Sequence, residues 1–189
     1  MIGPSMVMQE VDEMARGAIR IAPGEFAISN RKPLYTLLGS CVSACLSDAD
    51  IGGGGMNHFL LPEDPGGSPS DAARFGAFAM EQLINDLLRK GASRERMVAK
   101  ITGGGRMYEG GLDIGQRNIA FVRQFLRTER IKVVAEHLGG TQARRVLFKP
   151  DTGQMFVRPV TSAQSSSIHQ EEVRLSRASA VVEGTIDLF

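Results

Sequence analysis

Leu37–Leu46 (LLGSCVSACL) and Gly52–Pro62 (GGGGMNHFLLP) decide how this chain is read. The first stretch is apolar on both sides of a Gly39-Ser40-Cys41 corner. The second is a glycine run leading into an apolar segment that carries one histidine, His58. Between them Ser47 to Asp50 is polar and turn-prone. Two short apolar runs joined by a turn pair as adjacent strands. That pairing predicts Cys41 and His58 within side-chain reach, the minimum equipment for a thiol nucleophile with an imidazole base. The competing reading is a small buried hydrophobe and a satisfied core histidine. Glycine at 39 and at 52–55 leaves backbone unshielded, which suits a segment that another chain approaches closely.

At these residues the chain resembles a known family. Thr36-Leu37-Leu38-Gly39-Ser40-Cys41-Val42, then Gly55-Met56-Asn57-His58-Phe59-Leu60-Leu61-Pro62, is similar to the chemoreceptor glutamine deamidases, the CheD family. Further matches follow in the same order: Pro23-Gly24-Glu25, Arg74-Phe75-Gly76, Lys100 to Met107, and Ile114 to Asn118. The resemblance covers roughly residues 18 to 158. It implies Cys41 as nucleophile and His58 as base. It also implies an active-site threonine just upstream of the thiol, which falls on Thr36, with Tyr35 as the competing neighbour. The chain departs from the family pattern at His137, where an acid is usual, and at Ala143, where a glycine is usual.

A length of 189 residues fits one domain with a sizeable core. A net charge of +1 argues against nucleic acid or an anionic membrane surface as partner. No apolar run reaches the length of a membrane span, and no secretory signal is visible. Two cysteines four apart make a poor disulfide framework and fit a reducing cytoplasm. Three scattered histidines and one Cys-x3-Cys do not match zinc spacing, so neither metal nor cofactor is expected.

Residues 1–17 read as a leader, residues 18–159 as the domain, and residues 160–189 as a mobile polar tail. Within the domain, 18–22 and 25–28 are extended around a Pro23-Gly24 turn, as a hairpin or a sharply bent strand. Strands are also expected at 34–38, 42–46, 51–61, 97–101 and 131–138, with a hairpin at 145–148 and 154–158. Helices are expected at about 70–90, with Phe75, Phe78, Ala79, Gln82, Leu83, Asp86 and Leu87 recurring at helical spacing, and at about 115–129 on Ile119, Val122, Phe125 and Leu126. Asn118 reads as a residue that caps or ties loops together. Gly103-Gly104-Gly105 lacks the Gly-Lys-Ser/Thr of a phosphate loop. Such a pattern is α/β or α+β, with helices covering a mixed sheet. The resemblance implies a layered α/β sandwich shared with bacterial toxin glutamine deamidases.

The expected chemistry is conversion of receptor glutamine side chains to glutamate, with methyl-ester hydrolysis open to the same machinery. N–H groups near Gly39, Ser40 and Cys41 are the expected oxyanion donors. The implied partners are chemoreceptor cytoplasmic domains and a CheC-type phosphatase. The alternatives are a non-catalytic adaptation regulator that binds either partner, and a redox sensor using Cys41 and Cys45.

Overall fold

The structure is a computed structural model and describes residues 15–61, 69–107 and 113–161, together with Ile168, Gln170, Glu172 and Arg174. Most of the expected leader and the 62–68 loop lie outside the described residues.

Among the described residues nine strands form two mixed sheets: β1 (Ile19–Arg20), β2 (Phe26–Ser29), β3 (Leu34–Leu38), β4 (Val42–Asp48), β5 (Gly53–Asn57), β6 (Val98–Gly103), β7 (Lys132–Leu138), β8 (Arg144–Lys149) and β9 (Gln154–Pro159). The smaller sheet runs β1-β3-β8-β9 and the larger β2-β5-β4-β6-β7. Helices α1 (Pro69–Arg89) and α2 (Ile114–Thr128) pack against the larger sheet. The layers are therefore small sheet, large sheet, helices.

Strand periodicity explains the two cores. Along β4, Val42, Ala44 and Leu46 point to the helices, where they meet Leu83, Ile84, Leu87, Val122 and Leu126. Cys45, like Cys41 just before the strand, points the other way. It packs with Leu34, Leu38, Val146 and Phe148 of the small sheet. A strand buried on both faces carries little polar surface, which is why 42–46 is apolar except for Ser43, itself fully buried.

Several expectations change in detail. The segments around Pro23-Gly24 are not a hairpin, because β1 pairs parallel with β3 while β2 pairs antiparallel with β5. The chain bends there and passes from one sheet to the other. The expected strand 51–61 is shorter. Ala49–Ile51 is a 3-10 turn closed by Gly52 in the left-handed region, and Phe59 returns only as a single bridge to Val42. Helix α1 buries Met80, Leu83, Ile84 and Leu87, whereas Phe78 is 59% exposed, so the apolar stripe is rotated from the expected one. The hairpin of β8 and β9 is as expected, closing at Lys149–Gln154 with Gly153 at φ 65°.

Candidate active site

Two segments build the site, one of which crosses from sheet to sheet. The chain leaves β3 in the small sheet, turns through Gly39-Ser40-Cys41, and enters β4 in the large one. After β5, His58 precedes Phe59, whose N–H and C=O both bond Val42 at 3.0 Å. Val42 and Phe59 face the helix-side core. Alternation turns their predecessors, Cys41 and His58, toward the gap between the sheets. There the Cys41 sulfur and a His58 ring nitrogen lie within 4.8 Å of each other.

The small sheet fixes the imidazole. Thr36 of β3 places Oγ1 2.7 Å from the Ile21 carbonyl and 2.8 Å from His58 Nδ1. A hydroxyl has one proton, and a carbonyl can only accept it. The Thr36 proton therefore goes to Ile21, and Thr36 Oγ1 accepts from Nδ1–H. That assigns the tautomer: Nε2 carries the lone pair, and it is buried without a hydrogen-bond partner. Burial holds the His58 pKa down to about 4, against the upward pull of the Glu172 charge. The ring is neutral near pH 7.

Three carbonyls of the corner are held from behind. Gly105 N–H donates to Gly39 O at 2.8 Å, and Gly104 N–H to Cys41 O at 2.7 Å. Asn118 Nδ2 donates to Ser40 O at 2.9 Å, while its Oδ1 accepts from Leu61 N–H at 2.9 Å. In a trans peptide N–H and C=O point opposite ways. Pulling Gly39 O and Ser40 O backward therefore aims the N–H groups of Ser40 and Cys41 forward. Asn118 does tie loops together, and it also orients the corner. The glycine loop serves the same end. Gly103 has φ 115°, and a Cβ there would lie 2.1 Å from Cys41 O.

The forward N–H groups meet a side chain that the sequence reading did not select. Glu172 Oε1 accepts from Gly39 N–H at 2.8 Å and Cys41 N–H at 3.3 Å. Its Oε2 accepts from Ser40 N–H and Ser40 Oγ–H, both at 2.8 Å. Glu172 is 2% exposed and its backbone is helical. Ile168, one helical turn earlier, is also buried, so the two share a face. This part of the expected mobile tail thus carries a side chain held in the domain. Nothing local marks Glu172: it stands in a polar stretch beside Glu171. The one available signal is an apolar residue four before an acid.

N–H groups turned toward a thiol can lower its pKa or hold an oxyanion. Those of the corner are engaged by Glu172 instead, and the Cys41 pKa is raised well above the ordinary thiol value. Burial is the largest cause, followed by the Glu172 charge and its hydrogen bond. Cys45 is core, pushed up to about 12 by burial. Four residues of extended chain span about 13 Å, beyond disulfide reach, which disfavours a Cys41–Cys45 redox pair.

Cys41, His58 and Glu172 also bring three ligand-type atoms together. However, the carboxylate oxygens already accept four hydrogen bonds, a setting built for an anion rather than a cation. His137 lies elsewhere. It is exposed on β7, with its Nδ1 3.0 Å from the Arg144 guanidinium. Ala143, next to Arg144 in the chain, is fully buried.

The chain was compared with known proteins. The family described as "CheD chemotactic sensory transduction" matches residues 60–159. A protein of Paraburkholderia xenovorans named "Probable chemoreceptor glutamine deamidase CheD" is 44% identical over 171 residues, 87% of this chain and 68% of that one. Proteins with the same name from Thiobacillus denitrificans and Methylobacillus flagellatus are 46% and 45% identical. They cover 90% and 91% of this chain, and 88% and 89% of their own lengths. A solved structure, that of a Neisseria meningitidis protein of family DUF152, superposes with a TM-score of 0.43 at 12% identity. It covers 73% of this chain and 72% of the other.

Proposed function

Because this chain belongs to the CheD family, we propose that it converts glutamine side chains of chemoreceptor cytoplasmic domains to glutamate, with Cys41 as nucleophile. The observation that carries this reading is the relay Ile21 O, Thr36 Oγ1, His58 Nδ1. It leaves the lone pair of Nε2 as the one ring site free to take a proton from the thiol.

Each step follows from those positions. His58 Nε2 accepts the Cys41 proton, and the sulfur attacks the substrate's side-chain carbonyl carbon. The C=O electrons move to oxygen, which takes hydrogen bonds from the N–H groups of the Gly39-Ser40-Cys41 corner. The intermediate collapses as the C–N bond breaks, and His58 returns its proton to the departing nitrogen, releasing ammonia. A water, deprotonated by His58, then attacks the thioester. The S–C bond breaks, glutamate leaves, and the sulfur recovers its proton. A glutamyl methyl ester would follow the same course with methanol as leaving group. Thr36 is a positioning residue for the ring, and Asn118 for the corner.

The cytoplasm is the proposed compartment, consistent with free cysteines and with no described helix long and apolar enough to cross a membrane. A CheC-type phosphatase is proposed as a second partner on the family resemblance alone.

The test is incubation with a purified receptor cytoplasmic domain, followed by peptide mass spectrometry. Each converted glutamine gains about 1 Da, and Cys41→Ala abolishes the gain. Tight receptor binding with no gain would replace the enzyme by the regulator.

A further inference from the structure

Glu172 carries the functional group of the product that the proposed reaction leaves behind. Its carboxylate sits on the N–H groups assigned above to the oxyanion, within 4.8 Å of the sulfur and of a His58 nitrogen. The fit is close: a Cβ at Gly39 would lie 2.7 Å from Glu172 Oε2. With the segment in place, the cleft bounded by Thr36, His58, Ile168 and Glu172 has a volume of about 20 Å³. That holds roughly one water and no glutamine side chain.

From this occupancy we infer that the chain carries its own inhibitor: the helical residues Ile168 and Glu172 dock together, with Glu172 in the glutamyl subsite as a tethered product mimic. Resting as it does on the deamidase reading, the inference deepens it by naming how the site is regulated. Ile168 buries an apolar side chain beside the cleft and anchors the segment, while Glu172 fills the anion position. A substrate must displace both. Tethered occupancy lowers the competent fraction of the enzyme and raises the apparent substrate constant by the inverse of that fraction. Glu172 donates nothing to the chemistry, so releasing it leaves kcat intact.

The test uses the full chain as wild type, Glu172→Ala and Ile168→Asp. The second variant ejects the segment by charging its apolar anchor, and it leaves Glu172, Cys41 and His58 unchanged. Two readouts are taken: the rate at which iodoacetamide alkylates Cys41, scored by peptide mapping to separate it from Cys45, and steady-state deamidation of a receptor cytoplasmic domain. Both variants are expected to alkylate about tenfold faster or more, and to lower KM with kcat unchanged. Alkylation within about twofold of wild type in both variants overturns the inhibitor, whatever the receptor assay gives. A fall in kcat for Glu172→Ala, with unaltered KM, overturns it in favour of a catalytic glutamate. Faster alkylation in both variants with no receptor deamidation by any of the three proteins upholds the docked segment and sinks the deamidase reading instead.

Discussion

Replacing Thr36 by valine keeps the shape of the side chain and removes a single hydroxyl. That hydroxyl donates to Ile21 O at 2.7 Å and accepts from His58 Nδ1–H at 2.8 Å, and both Thr36 and His58 are buried. Both polar groups lose the hydroxyl between them in a buried site. Leaving one buried donor unpaired costs about 1–3 kcal/mol. Nothing then fixes the proton on Nδ1, and a ring that carries it on Nε2 has no lone pair for the thiol. If the competent tautomer is disfavoured by the same amount, kcat falls about 5- to 150-fold. The orphaned Ile21 carbonyl should lower folding stability by a further ~1–3 kcal/mol. Thr36→Ser keeps the oxygen and should recover most of both losses. Deamidation of a receptor domain gives kcat, urea denaturation gives stability, and nitrogen-15 NMR reports which ring nitrogen is protonated. The chain has three histidines, so the signal is assignable by substitution. If Thr36→Val keeps kcat within about twofold and the Nδ1–H tautomer persists, the positioning argument is wrong.

Other outcomes follow from neighbouring contacts. Asn118→Ala frees the Ser40 carbonyl and lets the Cys41 N–H drift from its aim; kcat is expected to fall about tenfold or more with KM little changed, and an unchanged kcat would remove Asn118 from the oxyanion argument. Glu172→Gln puts a carboxamide where the carboxylate sits, and a slow gain of about 1 Da at position 172 is expected, lost in the double variant with Cys41→Ala. No gain, in a chain that Glu172→Ala activates, would mean that Glu172 obstructs the site without occupying the glutamyl position. His58 has a folded-state pKa of about 4 against an ordinary 6.5. The stability that its neutral, buried form contributes is therefore complete above 6.5 and lost as pH falls toward 4, because the unfolded chain takes up the proton first; the full loss is about 3 kcal/mol. Urea midpoints across that range, compared with His58→Gln, isolate it, and parallel pH profiles would contradict the assignment.

Much of this fold was written locally. The short apolar runs at 34–38 and 42–46 make strands, the 3.6-residue recurrence of Ile119, Val122 and Leu126 makes α2, and Asp113 caps it by accepting from Gln116 N–H at 3.0 Å. The nearness of Cys41 to His58 was legible as well, because a turn between two apolar runs commits them to neighbouring strands. Tertiary structure alone decided what those residues meet. Glu172 reaches Gly39 across 133 positions, and no periodicity encodes a contact between a polar tail and a glycine corner. The direction of the Cys41 pKa was hidden for the same reason. A sequence places N–H groups beside a thiol, but only packing shows whether water, substrate or the chain's own carboxylate stands in front of them. Local chemistry chose the groups; the long-range burial of one charge set the state in which they rest.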